Sequence, residues 1–398
     1  MTKIPDDRAS TRATVGDATF DDVPKARVAP PRPIRVAEFF AGIGLVRKAL
    51  EPSGLEVVWA NDIEPIKATM YGANFSLDHY AVCDVRDVKG VDIPDIEVAT
   101  ASFPCTDLSL AGWRRGLAGE QSGMFWEFAR VLAEMGDRAP SAVLLENVPG
   151  FATSHGGRDL EAAIGALNEL GYSCDVLQVD AKHFVPQSRP RLFIVGLQQP
   201  VGDRPFWPDP LRPRHLIDFA VKHSGFALHA FPLQLPPADR RTLADVVERL
   251  PRDSEMWWDE ARSGRFVTSL SPLQAERLNQ LRDGALTWRT AYRRTRNGVA
   301  VWEVRPDPIS GCLRTARGGS SKQALVEIGE GAIRVRWMSG REYARLQGVD
   351  DSFDFAGLSR NKVMFGFGDA VCVPVVSWIA ANYLRPVLDG AVPTSAAV

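Results

Sequence analysis

The chain reads VATASFPCTDLS over residues 98–109, a short apolar run that stops at a proline followed by a cysteine. The small apolar residues predict a buried strand. Pro104 fixes its own backbone and biases Phe103 toward an extended conformation, so the strand should end there. In open α/β sheets, ligands bind beyond the carboxyl ends of the strands. A thiol at Cys105 is therefore well placed to act as a nucleophile. The alternative is an inert, buried cysteine beside a turn, and this stretch alone leaves both open.

Strand-like and helix-like segments alternate on both sides of this stretch. Strands are predicted over residues 34–40, 56–60, 142–145, 172–179 and 191–196, and helices over 45–50, 65–73, 124–135, 159–170, 340–346 and 369–383. Such alternation is typical of right-handed βαβ units, which build a mostly parallel sheet with helices on both faces. The sequence therefore predicts an α/β fold around one central sheet.

The composition divides the chain into three parts. Residues 1–33 mix both charges with small residues and show no apolar period, so we expect a flexible arm. Residues 201–332 are rich in Pro, Arg and Trp with weak periodicity, and predict a smaller, irregular domain. We expect residues 34–200 and 333–398 to form one discontinuous domain, because regular apolar signals return in the second of these segments.

Several classes of protein are disfavoured by composition. The 398 residues carry a formal net charge of −2, so any surface for nucleic acid must be local. Neither a run of 18 apolar residues nor an N-terminal leader is visible, and no membrane contact is expected. The five cysteines are scattered without CxxC spacing, and the histidines form no cluster. This pattern predicts a reducing, cytoplasmic setting and no metal site.

Residues 40–44 read FAGIG between a predicted strand and a predicted helix. Glycines let a ligand approach the backbone closely, and a helix N-terminus favours an electron-rich group, although a GxG alone is weak evidence. Asp62 ends the second strand, where a carboxylate can accept both ribose hydroxyls of an adenosine. Asp84, in Cys83-Asp84-Val85 at the end of a further strand between residues 60 and 98, could reach an adenine amino group or only cap a turn. The loop lacks the third glycine of pyrophosphate loops, which favours S-adenosylmethionine over NAD.

Two further polar pairs follow or begin strands. Glu146 and Asn147 come directly after an apolar strand. A carboxylate there resists ionisation and can share a proton, unless it pairs with an arginine. In QSRPR, residues 187–191, Arg189 and Arg191 lie two apart and face the same side if extended. One of them could point into the cleft, or both could belong to a solvated strand end.

The ordered set of motifs resembles the cytosine-C5 DNA methyltransferase family over residues 34–196 and 334–380. The shared motifs are FAGIG (40–44), Asp62, Asp84, PCTDLS (104–109), FWE (125–127), ENV (146–148), QSRPR (187–191), REYARLQG (341–348) and GDAVCVP (368–374). They follow the family order around an insert of the expected size. The departures are Glu38 for Asp, Leu45 for Gly, Val349-Asp350 for Phe-Pro, and Gly366-Phe367-Gly368-Asp369 for Gln-x-Gly-Asn. None of them removes a reactive group.

The resemblance implies a Rossmann-like S-adenosylmethionine methyltransferase core with a smaller target-recognition domain. It implies methyl transfer to carbon 5 of cytosine through a covalent adduct, with Cys105 as the nucleophilic thiolate. Glu146 then binds ring nitrogen 3 and the exocyclic amine, and Arg191 donates to the carbonyl at position 2, with Arg189 as second choice. Asn147 anchors the loop of the nucleophile. The implied catalytic residues are Pro104, Cys105, Glu146, Asn147, Arg189 and Arg191.

The same resemblance implies two binding surfaces. The cofactor-binding residues are Phe40, Ala41, Gly42, Ile43, Gly44, Asp62, Ile63, Asp84, Val85, Pro104, Phe125, Asp369, Ala370 and Val371. The target base must leave the duplex stack, and the segment 288–296, which interleaves aromatic residues with arginines, suits phosphate and guanine contacts. A solvated basic face is the alternative. The DNA-binding residues are Ser109, Gln187, Arg289, Arg293, Arg294, Arg296, Arg314, Arg317 and Lys322.

Together these features predict an enzyme that methylates double-stranded DNA in the bacterial cytoplasm, at the nucleoid. We expect it to act as a monomer, within a restriction–modification or other defence system. One alternative is a cytosine-C5 methylase of tRNA, which shares the core, although an insert rich in Arg and Trp favours duplex DNA. A second alternative is a catalytically silent DNA-binding subunit. A dinucleotide oxidoreductase leaves the cysteine motif and the arginine pair unexplained.

Overall fold

The computed structural model of the protein describes residues 32–103, 123–200, 202–205, 207–296, 298–314 and 322–390. Four of the predicted site residues lie outside these ranges, namely Pro104, Cys105, Ser109 and Arg317. The side chain of Arg296 is likewise outside the description, and so is the predicted arm of residues 1–33 apart from its last two residues.

A seven-stranded sheet forms the centre of the fold. Its strands are β1 (Ile34–Phe39), β2 (Leu55–Asp62), β3 (Tyr80–Val82), β4 (Val98–Ala101), β5 (Ala142–Asn147), β6 (Ser173–Asp180) and β7 (Pro190–Leu197). They lie in the order β3-β2-β1-β4-β5-β7-β6, and β7 runs in the opposite direction to the other six. The connecting helices are α1 (Leu45–Leu50), α2 (Pro65–Gly72), α3 (Met124–Met135) and α4 (Arg158–Glu169). The predicted Rossmann-like, mostly parallel sheet is confirmed.

Both faces of this sheet are buried, because successive side chains of a strand point to opposite faces. In β1, Val36 belongs to the core on the side of α1, whereas Ala37 and Phe39 belong to the core on the side of α3 and α4. All four residues of β4 are buried, which fixes its carboxyl end in the middle of the sheet. The strand order reverses between β1 and β4, and ligands bind at such a reversal in open α/β sheets.

Three strands of a second, antiparallel sheet lie in the segment predicted to be the smaller domain, and the fourth extends beyond its predicted end at residue 332. In the order β11-β10-β8-β9 the sheet contains β8 (Thr287–Arg296), β9 (Val299–Val304), β10 (Gln323–Gly329) and β11 (Ala332–Trp337). Side chains from α6 (Glu260–Thr268) and α7 (Pro272–Arg282) share its hydrophobic core, while α5 (Arg214–Lys222) packs on the main sheet. The sheet is more regular than the sequence suggests, because every residue of β10 is buried and shows no polar alternation.

The C-terminal segment returns to the main sheet as a run of helices. The predicted helix over residues 340–346 coincides with α8 (Gly340–Leu346). The helix predicted over 369–383 is wrong at its start, because α9 (Arg360–Asp369) ends there and α10 (Val373–Ile379) begins only after a break. Pro374 explains the new start, since proline suits the first helical turn and disrupts a helix interior. A π-helical turn (Ala380–Leu384) and α11 (Arg385–Leu388) follow.

Helix α10 packs against α1, which stands more than 300 residues earlier in the chain. The Ser377 hydroxyl donates to the Ala49 carbonyl at 2.9 Å, with a sequence separation of 328 residues. The segment Arg360–Leu388 is long and apolar enough to span a membrane, yet 67% of its most apolar window is buried inside the protein. A core helix has this property, and here the apolar side chains cover one face of the main sheet.

Candidate active site

A cavity of about 920 Å³ opens at the carboxyl ends of the parallel strands, beside the reversal of strand order. The segments after β1, β2, β3, β4 and β5 all reach it, and so do the break after α9 and the chain before β10. Eleven of the predicted cofactor-binding residues line it: Phe40, Ala41, Gly42, Ile43, Asp62, Ile63, Asp84, Val85, Asp369, Ala370 and Val371. The fold thus brings together groups from both ends of the sequence.

The glycine loop follows β1 in a conformation that needs small residues. Gly42 and Gly44 have φ values of 57° and 84°, a region in which side chains other than that of glycine are strained. A Cβ atom on Gly44 would also lie 2.6 Å from the Phe75 ring and 2.9 Å from the Tyr71 ring. Gly44 therefore supports the loop from behind, and the remaining loop residues face the cavity.

Asp62 ties this loop to the end of β2. One carboxylate oxygen accepts from the Gly42 N–H at 2.9 Å, and the other accepts from the Glu64 N–H at 2.9 Å. The side chain is almost completely buried, so its charge needs these donors. The predicted ribose-binding carboxylate is thus held rigidly beside the glycine loop, in the cavity wall.

Asp84 caps a turn, which is one of the two roles that the sequence left open. It accepts from the Arg86 backbone N–H at 2.9 Å and from the Arg86 guanidinium Nε at 2.9 Å. The hydrogen bond from that side chain is the main reason that the pKa of Asp84 is lowered. A contact from Asp84 to adenine stays a prediction.

Lys67 on α2 also lines the cavity, although it was not among the residues predicted from the sequence. Its ammonium is 3.2 Å from a carboxylate oxygen of Asp369 and 3.7 Å from one of Asp62. One feature of the sequence pointed to Lys67: it follows Pro65 within the first turn of a helix that begins beside the predicted ribose carboxylate. Its partner Asp369 comes from the far end of the chain, and no local pattern indicates that contact.

The other half of the cavity holds Glu146 and Arg191. The Arg191 Nε lies 2.8 Å from Oε1 of Glu146, and both side chains are largely buried. The structure therefore adopts the pairing of carboxylate and arginine that the sequence left as an alternative. Arg191 also lies 3.6 Å from the Cys312 sulfur through Nη2. Burial disfavours the Cys312 thiolate, but Arg189 and Arg191 bring the pKa of this thiol below its ordinary value.

Arg189 occupies a structural position. It is 1% exposed and donates to the Leu313 carbonyl at 2.8 Å and to the Ala370 carbonyl at 2.7 Å. These bonds join β7 to the chain before β10 and to the break after α9. Arg189 is absent from the cavity wall, so we withdraw it as second choice for binding the target base.

Two predicted residues stand at the point where β4 leads toward the cysteine motif. The Asn147 side chain donates to the Phe103 carbonyl at 3.2 Å, next to the segment that begins with Pro104. Phe125 is fully buried and packs behind Phe103, with ring centroids 5.5 Å apart. Phe125 does not line the cavity, so its predicted contact with the cofactor is corrected to packing behind the cavity wall.

The predicted DNA-binding residues fall into two groups. Arg293, Arg294 and Arg314 are exposed; Arg294 also lies over the Tyr292 ring at 4.8 Å and 3.5 Å from Glu303. Lys322 is half-buried and donates to Asn361 at 2.9 Å. In contrast, Gln187 and Arg289 are buried and hydrogen-bonded within the protein, which is incompatible with a contact to DNA. We remove these two from the DNA-binding set.

Comparison with known proteins identifies the family to which the chain belongs. The sequence model of the C-5 cytosine-specific DNA methylase family matches residues 34–385. The Type II methyltransferase M.Bsp6I of Bacillus sp. (strain RFL6) is 27% identical over 359 residues, which cover 89% of this chain and 100% of the relative. The Type II methyltransferase M.HhaI of Haemophilus parahaemolyticus is 26% identical over 353 residues, which cover 88% and 94%.

A solved structure supports the fold independently. The crystal structure of the S. pombe Dnmt2 methyltransferase matches with a TM-score of 0.57 at 19% identity and covers 89% of this chain and 99% of that one. A doubly wound sheet with a glycine loop and an acidic strand end around one cavity defines a Rossmann-like nucleotide-binding fold. The match over residues 34–385 is more specific, and the chain belongs to the C-5 cytosine-specific DNA methylases.

Proposed function

We propose that the protein transfers a methyl group from S-adenosylmethionine to carbon 5 of a cytosine swung out of duplex DNA. Cytosine-C5 methylation of DNA is the activity of its family. The methyl donor, the extruded base and the residue roles are the proposed part. They are supported by one observation, that the pair Glu146–Arg191 and the loop-bound Asp62 face the same cavity.

The residues around the glycine loop fit an adenosine-containing donor. S-adenosylmethionine, when bound, supplies a methyl group on a positively charged sulfur. Asp62 offers a fixed carboxylate for ribose hydroxyls, and Ile63, which is 58% exposed, offers an apolar surface for a flat base. A volume of about 920 Å³ lies in the range of small-molecule sites.

The groups at the ends of β5 and β7 fit a cytosine ring. We assign Cys105 as the nucleophile whose sulfur bonds to carbon 6, which makes carbon 5 reactive toward the methyl group. Glu146 then holds nitrogen 3 and the amine, and Arg191 donates to the oxygen on which negative charge develops. After transfer a base takes the proton from carbon 5, and the carbon–sulfur bond breaks. Asn147 is the positioning residue that holds the chain before Pro104.

We propose that residues 34–200 and 338–398 form the catalytic domain and residues 201–337 the target-recognition domain. The boundary is moved from residue 332 because β11 pairs with β10 along six residues, from Ala332 to Trp337. On this second domain Arg293, Arg294, Arg296, Arg314, Arg317 and Lys322 are assigned to DNA, and on the catalytic domain Ser109. Exposed arginines suit phosphate contacts, which position the duplex.

The cellular setting is also a proposal. We expect the enzyme to act as a monomer on bacterial nucleoid DNA in the cytoplasm, within a restriction–modification or related defence system. The support is that the named relatives are Type II methyltransferases. The companion proteins of such a system are not assigned.

The test uses the whole chain with tritium-labelled S-adenosylmethionine and two acceptors, duplex DNA of random sequence and total tRNA. We expect label in DNA as 5-methylcytosine, none in tRNA, and a covalent complex on duplex carrying 5-fluorocytosine. Cys105→Ser should abolish both transfer and the complex. Label in tRNA alone, or full activity of Cys105→Ser, contradicts the proposal.

A further inference from the structure

Three charged side chains meet in the donor half of the cavity. The Lys67 ammonium lies between the carboxylates of Asp62, at 3.7 Å, and Asp369, at 3.2 Å. The Lys67 side chain is 14% exposed, and those of Asp62 and Asp369 are 7% and 37% exposed. All three residues line the cavity, together with Glu64.

Lys67 stays positively charged in this position. Burial disfavours the ammonium, but Asp62 and Asp369 hold the pKa of Lys67 above its ordinary value. Lys67, Asp62, Glu64 and Asp369 together carry one positive and three negative formal charges at neutral pH. Asp84 and Arg86, which also line this half, pair with each other and cancel, so the donor half of the cavity is acidic and Lys67 reduces its net negative charge from three to two.

Resting on the proposed function, we propose that Lys67 is a specificity-determining residue that sets how strongly the site prefers the cationic methyl donor to its uncharged product. S-adenosylmethionine and S-adenosylhomocysteine share the adenosine and the amino acid group, and they differ by one methyl group and the positive charge on sulfur. An acidic site binds the cation more tightly than the neutral thioether. Each charge removed from or added to this site changes that preference, since the interaction is Coulombic in a poorly screened cavity.

The ratio of two dissociation constants measures this effect. Isothermal titration of the whole protein with S-adenosylmethionine and with S-adenosylhomocysteine gives the affinity ratio for each variant. We expect Lys67→Met to raise the preference for the donor roughly three- to tenfold and Asp369→Asn to lower it by a similar factor. The double variant, which restores the charge balance, should return to the wild-type ratio. Lys48→Met is the matched control, because Lys48 forms a similar pair with Asp350 at 3.1 Å outside the cavity wall.

The outcomes separate this inference from the proposed function. If Lys67→Met weakens both ligands by the same factor and leaves the ratio unchanged, Lys67 is only a structural link and the inference is overturned. If the double variant keeps the altered ratio of either single variant, charge is not the cause and the inference is also overturned. If the wild-type protein binds neither ligand, the proposed donor itself is wrong.

Discussion

Arg191 on β7 and Glu146 on β5 form a buried ion pair, with 2.8 Å between Nε and Oε1, at the edge of the cavity. The two strands run antiparallel, so the start of β7 meets the carboxyl end of β5. Each charge is balanced by the other in the absence of a base. In the proposed function, a cytosine ring would donate to Glu146 and accept from Arg191, so the base would replace each residue as the partner of the other.

The first prediction concerns the charge of Glu146. Glu146→Gln keeps the shape of the side chain but removes the acidic group that can share a proton with nitrogen 3 of the base. We expect kcat for DNA methylation to fall roughly 100- to 1000-fold, the range for loss of one stabilising group at a reacting centre. Steady-state methylation rates measure this. Asp218→Asn is the control, because it removes an exposed partner of Arg214 at the same distance of 2.8 Å. A loss of less than threefold in kcat rules out the assigned role.

The second prediction concerns Arg293 and Arg294 on β8. Because both are exposed and assigned to phosphates, replacing each with alanine should weaken DNA binding and lower the slope of log K against log salt by roughly 0.9. The affinity for S-adenosylmethionine should not change, since neither residue lines the cavity. Fluorescence anisotropy with a labelled duplex at several salt concentrations measures the slope. Arg214→Ala, on an exposed arginine of α5, should leave it unchanged, and equal loss of DNA and cofactor binding refutes the assignment.

The third prediction separates backbone strain from crowding in the glycine loop. Gly44→Ala should cost roughly 2–4 kcal/mol of unfolding free energy, part from the left-handed backbone and part from contact with Phe75. Gly156 has a similar backbone, with φ of 73° and ψ of 28°, but the space that a Cβ atom would occupy there is open. Gly156→Ala should therefore cost only about 1–2 kcal/mol. Urea unfolding compares the two variants, and equal costs would show that the contact with Phe75 relaxes freely.

The fourth prediction concerns pH and Glu38 on β1. Glu38 is fully buried, and burial raises its pKa to about 8, although the charge of Arg47 and a hydrogen bond from its backbone N–H act in the opposite direction. Between pH 4.5 and 8 the folded protein keeps a proton that the unfolded chain releases. The stability contributed by this proton is complete below about pH 4.5 and falls by about 1.4 kcal/mol per pH unit as the pH rises toward 8.

Glu38→Gln should remove this dependence. The variant should be more stable than the wild type at about pH 8.5, by a few kcal/mol, and close to it at about pH 5. Urea unfolding at both values measures the difference. Glu97→Gln is the matched control, because it makes the same substitution at a carboxylate outside the core, which accepts from the Arg35 N–H. An identical pH profile for wild type and Glu38→Gln excludes a protonated Glu38.

Local patterns predicted the parts of the molecule that depend on neighbours in sequence. The strand β4 and the helices α3 and α8 follow from apolar periodicity and from Pro, Gly and Ser at their ends. The loop 40–44 and Asp62 met in one cavity because parallel strands align their carboxyl ends. Lys67, Cys312 and the burial of Arg189 and Gln187 were missed, because each depends on a partner more than 100 residues away in the sequence.

The hydrogen bond from Ser377 to Ala49 has a consequence for how the enzyme is made. Translation must add 328 residues between the two partners, which takes roughly 16–65 s at bacterial and eukaryotic rates. Throughout that interval α1 can pack on the neighbouring strands of the sheet but lacks its contact with α10. Helix α10 therefore reaches α1 only after the glycine loop, all strands of the central sheet and the second sheet have been synthesised.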